Sequence, residues 1–351
     1  MSLRIAINGY GRIGRSILRL LLERDDTDQL ELIAINEPAS AEAIALLTRY
    51  DSQHGRLPAR LQVEEKWLSI NGSRIRLYPG LAPEELPWAR DKIDLVLDCS
   101  GQPGSREAAT RHLQAGAGKV LYSQPASSDV DITLIPGFNH ADLREDHRII
   151  SAGSCTTNCL IPVLDCLQSA FGIERGAVTT IHSAMNDQPV SDTLKGDELR
   201  LNRGALNAIQ PVDTALARGV ERLMPTLGPN LECLHLRVPT TAVSAMDISL
   251  QSAAPVSAAS VADCLHEAAR HCYAGILDVC EDPVSSVDFA HDPHSVVVDL
   301  TQLRVADNRL IKLLCWFDNE WGFANRMIDI ARMLSGSPPA TTTHQNRAHL
   351  H

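Results

Sequence analysis

A chain of 351 residues with 44% apolar and 21% charged residues has the composition of an ordinary globular protein, long enough for two domains around sizeable cores. Its 32 basic and 43 acidic residues leave a net charge of −11, which repels nucleic acid and anionic membrane and leaves at most a local basic pocket for a phosphate. No apolar run approaches the ~20 residues that span a bilayer, Met1 to Ile7 lacks a signal-peptide layout, and nine scattered cysteines without a CxxC pair read as reduced thiols, so the expected compartment is cytoplasmic.

Leu3 to Asn8 is a short apolar strand that runs into Gly9-Tyr10-Gly11-Arg12-Ile13-Gly14, and Ile13, Ile17, Leu18, Leu20, Leu21 and Leu22 mark the helix that follows. Strand, GxGxxG and helix form the context of a dinucleotide turn: Gly9, Gly11 and Gly14 permit the tight bend and close pyrophosphate approach, and the helix N–H groups face the phosphates. A second strand, Leu30 to Asn36, ends in Glu37, 23 residues after Gly14. An acid there accepts ribose hydroxyls and repels a 2′-phosphate, which favours NAD over NADP. Leu61 to Tyr78 partly alternates and contains Asn71-Gly72, a hairpin signal. Asp94 to Asp98 is a buried-type strand leading to Cys99-Ser100-Gly101, Arg106 to Ala115 is helical, and Val120 to Ser123, Asp131 to Ile135 and Arg148 to Ser151 are further strands. Alternating β and α elements predict an α/β fold with a doubly wound parallel sheet, whose strand ends place Ser100 and Ser123 toward the cofactor.

Small residues precede Cys155 in Ser151-Ala152-Gly153-Ser154-Cys155-Thr156-Thr157-Asn158, and an apolar helical run follows with Leu160, Ile161, Val163, Leu164 and Leu167. This puts Cys155 at a helix N-terminus, where partial positive charge favours a thiolate. Val178 to Ile181 is a β-branched strand that delivers His182. Ser183 to Leu206 is long, polar and aperiodic, the mark of a functional or disordered loop. Strands at Leu234 to Val238, Val243 to Gln251, Ser295 to Leu303 and Leu310 to Phe317, a helix at Ala258 to Cys272 and a last helix at Trp321 to Leu334 predict a second α+β domain with a mostly antiparallel sheet. The boundaries read as 1–154 for the dinucleotide domain, completed by the helical segment 319–334, 155–318 for a catalytic domain, and 335–351 as a disordered tail rich in Pro, Thr and His. The tail histidines and the His291-Asp292-Pro293-His294 turn fit no standard metal spacing, so no metal is expected.

Cys155 and His182 stand 27 residues apart, one opening a helix and the other ending a strand, so both can face one cleft. A histidine in reach activates a cysteine and later shuttles its proton. Buried inert cysteine is the common alternative, but a thiol beside NAD has a use: it adds to an aldehyde, the adduct gives up a hydride, and a thioester results.

At this point the sequence resembles the glyceraldehyde-3-phosphate dehydrogenase family along nearly all of 2–334. The matching runs are Ala6 to Arg15, Tyr50-Asp51-Ser52-Gln53-His54-Gly55, Ser154 to Asn158, Arg237-Val238-Pro239-Thr240 and Asp318-Asn319-Glu320-Trp321-Gly322. The resemblance implies Cys155 as nucleophile and His182 as base. It implies Arg12, Ile13 and Glu37 along the NAD site, and Asn319 on the nicotinamide carboxamide. Substrate contacts are implied at Ser154, Thr156, Arg200, Thr214 and Arg237. It also implies a homotetramer in which the Ser183–Leu206 loop lies near the NAD of a neighbouring subunit.

Departures from the phosphorylating pattern bear on the specific reaction. Met185 stands where a phosphate-binding threonine is expected, and a thioether donates nothing. Thr214-Ala215 replaces a Thr-Gly pair, Arg200-Leu201 replaces paired arginines, and Asn36-Glu37 replaces Asn-Asp. With Ser183-Ala184-Met185, Pro211-Val212-Asp213-Thr214, the His291–His294 turn and Trp321 to Arg326, these resemble the D-erythrose-4-phosphate dehydrogenase branch, which makes 4-phosphoerythronate for pyridoxal phosphate biosynthesis in bacteria. The expected function is therefore NAD-dependent oxidation of a sugar phosphate with water cleaving the thioester. Two alternatives stay open: a phosphorylating glyceraldehyde-3-phosphate dehydrogenase, and a non-catalytic protein binding NAD or RNA on the same fold.

Overall fold

The structure is a computed structural model that describes residues 2–194 and 199–336. The chain divides into two compact units: one runs to Ser154 and takes up the chain again from Phe323, and the other is Cys155–Gly322.

The first unit is built on a nine-stranded sheet in the order Ile132–Thr133, Ile149–Ser151, Lys119–Tyr122, Leu95–Asp98, Leu3–Asn8, Leu30–Asn36, Ser73–Tyr78, Trp67–Ile70, Leu61–Glu64. The first seven are parallel and the last two extend it antiparallel. The central strands are buried on both faces, as their unbroken apolar runs require: every residue of Leu95–Asp98 is buried. Register brings the strand ends level, with Asn8 opposite both Asn36 and Asp98, and Asp98 opposite Tyr122. The chain leaves Leu3–Asn8 between neighbours on either side, which is where a doubly wound sheet opens a ligand crevice.

Leu61 to Tyr78 is three strands rather than one hairpin. The expected turn at Asn71-Gly72 is present with φ of +50° and +94°, the two positive values of a type I′ turn, and Glu65 at φ +45° makes a second tight turn before it. The expected strand Asp131 to Ile135 shrinks to Ile132–Thr133, because the Asn139 side chain accepts from the Ile135 N–H at 2.8 Å in place of a neighbouring strand. The helix Ala41–Arg49 has no counterpart in the sequence reading; Ser40 caps it by accepting from the Ala43 N–H at 3.2 Å. The last helix runs Trp321–Leu334 as expected. Residues of the expected tail beyond 336 lie outside the described residues.

The second unit carries a seven-stranded sheet in the order Gln210–Val212, Leu231–Val238, Ile173–Ser183, Ser244–Ser252, Leu310–Phe317, Val296–Ala306, Leu277–Cys280. Four of its six pairings are antiparallel. Its main helix, Cys155–Phe171, is apolar on nearly all sides, and Thr156 through Leu164, Cys166 and Leu167 are buried. All five residues of the apolar run expected there are therefore core. Among the described residues no helix is long and apolar enough to cross a membrane.

Within the first unit, the segment after Phe323 is anchored by charge as well as by packing. Asp329, 3% exposed, accepts from Arg24 and from Arg326 at 2.8 Å each, and Arg332 pairs with Asp26 at 2.9 Å. Replacing Asp329 by Ala leaves guanidinium groups buried without their carboxylate, which costs about 3–5 kcal/mol when a buried pair is broken from one side. Urea unfolding of Asp329→Ala should show a loss of that size, against less than about 1 kcal/mol for exposed Arg144→Ala, whose pairing with Asp146 is a surface one.

Candidate active site

In the first unit the glycine turn has the shape of a phosphate cradle. Gly9 has φ +87°, and a Cβ on it would lie 2.6 Å from the backbone of Cys99 and Ser100. A Cβ on Gly14 would lie 2.6 Å from the Gly9 carbonyl, so only glycine lets the helix start this close to the strand. A Cβ on Gly11, by contrast, would meet nothing within 4 Å. Gly11 is the N-cap of helix Arg12–Glu23 and makes no side-chain cap there, and that helix end is where N–H groups would meet a pyrophosphate. The residues fit a dinucleotide.

The polar groups around the turn are tied together. Glu37 accepts from the Tyr10 N–H at 2.8 Å with one carboxylate oxygen, which sets its side chain against the turn. Asn36 donates to Asn8 at 2.8 Å, and Asn8 donates to Asp98 at 3.3 Å. The Ser100 hydroxyl donates to Asp98 at 2.6 Å, and the Ser123 hydroxyl donates to Gln124 at 2.9 Å. Both expected serines thus stand at strand ends beside the turn, with their protons spent on protein neighbours. The Arg12 guanidinium pairs with Asp51 and donates to Gln53 at 2.6 Å. Burial raises the Asp51 carboxyl, but Arg12 and the Gln53 and His54 amides outweigh it and hold it well below the usual range. Buried Arg19 donates to the carbonyls of Thr48, His54 and Gly55 at 2.9–3.3 Å. The Tyr50–Gly55 run therefore braces the turn through two arginines, and Ile13 follows Arg12 in the first helical turn.

In the second unit Cys155 is the first residue of its helix, and its Sγ lies 3.7 Å from Nε2 of His182. His182 is the penultimate residue of strand Ile173–Ser183. Its Nδ1 lies 2.8 Å from the Ser183 carbonyl, which can only accept, so Nδ1 carries the proton and Nε2 offers its lone pair to the thiol. Burial pulls the imidazole below its ordinary value, the Ser183 carbonyl opposes this, and the Arg237 charge adds to it.

The expectation of a standing thiolate needs correction. Burial, chiefly, pushes the Cys155 thiol up to about 12, the Thr156 and Cys155 amides pull against it, and Glu320 and Asp318 add a smaller like-charge push. Desolvation outweighs the helix terminus here. The proton must therefore pass to His182 as the sulfur attacks.

Ser154 ends the first unit and Thr156 is buried in the first turn of the helix. Asn319 accepts from the hydroxyls of Ser183 and Ser244 at 3.0 Å each, so its amide oxygen is occupied and its NH2 is the end left for a ligand carbonyl. Asp318 accepts from the N–H groups of Glu320, Trp321 and His291 at 2.8–3.0 Å, capping the last helix. The His291–His294 turn has a packing role: His291 stacks on Trp321 at 3.6 Å between ring centres.

Arg237 is opposite His182 in the sheet and pairs with Asp187. A substrate phosphate would have to draw Arg237 away from that carboxylate or share it. Arg200 and Thr214 line one cavity of about 570 Å³ with Ala215, Arg218 and His235. The Thr214 hydroxyl oxygen accepts from the Leu216 N–H at 3.1 Å. Ala215 has φ −93°, a value any residue adopts, so the change from glycine costs no strain and places a methyl on the cavity wall. Met185 is half-exposed and its N–H donates to Gln188 at 3.0 Å.

Four contributors were missed in the sequence. Arg218 stands four residues after Thr214, a spacing that puts both near the start of helix Leu216–Leu223 and was the available signal. His235 stacks on His182 at 5.2 Å, two residues before Arg237 on the same strand. Asp187 and Ser244 reach the site across 50 and 61 residues, to Arg237 and the Ser183 N–H, and had no local signal.

Comparison with protein families agrees with this geometry. The family model described as the glyceraldehyde 3-phosphate dehydrogenase NAD binding domain matches residues 3–106, and that of the C-terminal domain of the same enzyme matches residues 154–319.

Replacing His182 by Ala removes the proton acceptor and leaves the partly buried Cys155 thiol without one. Iodoacetate labelling of Cys155 at pH 7 should slow by about 10²-fold, the scale of a lost general base. The remaining rate should keep rising above pH 9 as the thiol itself ionises. Equal labelling rates in the two proteins at pH 7 would remove His182 from this role.

Proposed function

The chain belongs to the glyceraldehyde 3-phosphate dehydrogenase family, as an NAD-binding dehydrogenase, and we propose that it oxidises D-erythrose 4-phosphate to 4-phosphoerythronate, with water releasing the product. The observation that carries the chemistry is the 3.7 Å approach of Cys155 Sγ to the unprotonated Nε2 of His182.

The steps follow from the groups present. Cys155 Sγ adds to the aldehyde carbon while its proton passes to His182 Nε2. The developing oxyanion is met by the Cys155 N–H at the helix terminus and by the new imidazolium. Bound NAD supplies the hydride acceptor. His182, neutral again once it has passed its proton on, takes a proton from the water that attacks the thioester carbon, and Cys155 leaves as the thiol. Gly9, Gly11, Arg12, Ile13, Gly14 and Glu37 hold the dinucleotide, with Ser100 and Ser123 beside them. Asn319 receives the carboxamide with its amide held outward by Ser183 and Ser244.

Support for water as acceptor comes from Met185 and Ala215, which stand where the resemblance places a phosphate-binding threonine and a glycine, and Ala215 lines the cavity. The cavity also lends support to the second reading, a phosphorylating enzyme, since Arg200, Arg218 and Thr214 line one space large enough for an anion. A homotetramer is part of the same proposal: Val190, Leu194, Leu199, Leu206 and Ile209 around the long loop are 62–100% exposed, an apolar set that a partner subunit would cover.

Steady-state rates with both aldehyde phosphates, with and without inorganic phosphate, separate the readings. The proposal expects higher kcat/KM for erythrose 4-phosphate and no dependence on phosphate. Faster, phosphate-dependent turnover of glyceraldehyde 3-phosphate would overturn it. For the cofactor site, Glu37→Ala should weaken NAD by about 1–3 kcal/mol, the cost of leaving ribose hydroxyls without their acceptor. Titration calorimetry giving an unchanged Kd would show that Glu37 does not reach the ribose.

A further inference from the structure

The second unit holds a group of thiols that the proposed reaction does not use. Cys166 lies on helix Cys155–Phe171, eleven residues after the nucleophile, and is buried. Helix Ala258–Arg270 packs against it and presents Cys264, whose Sγ is 3.6 Å from the main-chain oxygen of Cys166. Cys272, just past the end of the second helix, turns its Sγ back toward the Ala268 carbonyl at 3.9 Å. Beside Cys166, Asp165 accepts from the buried Tyr273 hydroxyl at 2.6 Å, which fixes how the two helices meet. Cys264 and Cys272 are partly exposed, while Cys166 is enclosed.

We propose that Cys264 and Cys166 are an oxidisable pair that closes to a disulfide on reaction with hydrogen peroxide, joining the helix that begins at Cys155 to the helix packed on it. The division of labour follows from exposure. Cys264 meets the reagent: its thiol gives up its proton, its sulfur attacks one peroxide oxygen, an S–O bond forms, the O–O bond breaks, and the leaving hydroxide takes that proton and departs as water. Cys166, shut away from the reagent, then attacks the sulfenyl sulfur. An S–S bond forms, the S–O bond breaks, and the leaving hydroxide takes the Cys166 proton as a second water. Two thiols lose two electrons and two protons, and one peroxide becomes two waters. Cys159 and Cys315 are buried deeper, where burial pushes both thiols far up, so they do not compete for the reagent.

The test uses the full chain carrying Cys155→Ser, so that the nucleophile does not consume the oxidant. The protein is treated with equimolar hydrogen peroxide, remaining thiols are alkylated after denaturation, and peptides are mapped by mass spectrometry. The expected product is a Cys166–Cys264 cross-linked peptide, reversed by dithiothreitol. It should persist when Cys272→Ser is added and disappear when Cys264→Ser is added; both substitutions are at half-buried positions and leave the core intact. A link through Cys272, a link between chains, Cys264 oxidised to sulfinic acid with Cys166 still alkylated, or both thiols fully alkylated would each overturn the proposal.

Discussion

The chemistry we propose for this protein depends on one proton path, from Cys155 Sγ to His182 Nε2. It exists because the Ser183 carbonyl fixes the tautomer. With Nδ1–H committed to that oxygen at 2.8 Å, the lone pair can only be on the nitrogen that faces the sulfur. The path matters more because burial pushes the thiol up, away from ionising by itself. Burial outweighs the favourable helix terminus, so sulfur and imidazole change charge together.

Around that pair the sheet acts as a ruler. His182 and Arg237 are register partners on adjacent parallel strands, and His235, two residues earlier, falls on the same face and stacks on His182. One strand therefore delivers both a cation suited to a substrate phosphate and a ring that shields the base. Asp187, from the long loop, balances the cation. On the next strand over, Ser244 donates to Asn319 as Ser183 does, so base and amide are positioned by consecutive residues, His182 and Ser183.

The dinucleotide turn rests on a different constraint, the absence of atoms. Gly9 and Gly14 are needed because a Cβ would overlap neighbouring backbone, whereas Gly11 borders open space. The first two close the structure and the third leaves it open for a ligand. The Asn8, Asn36 and Asp98 side chains, level at the ends of three strands, tie those ends together beneath the turn.

What the sequence determined by itself was whatever depends on neighbours along the chain. The glycine turn, the type I′ hairpin at Asn71-Gly72, the buried helix after Cys155 and the bounds of Trp321–Leu334 follow from backbone sterics, capping and periodicity, all local. Cys155 and His182 were legible as candidates from their local settings, but their 3.7 Å approach was not. Tertiary structure alone decided the environment that pushes the Cys155 thiol up, the partners of Arg12 and Arg237, and the gathering of Arg200, Thr214, Arg218 and His235 around one cavity. Cys155 meets His182 across 27 residues, Arg12 meets Asp51 across 39, and Arg237 meets Asp187 across 50. They depend on strand register and helix packing, and a side chain's solvation and charge environment are set by what packs on it rather than by what precedes it in sequence.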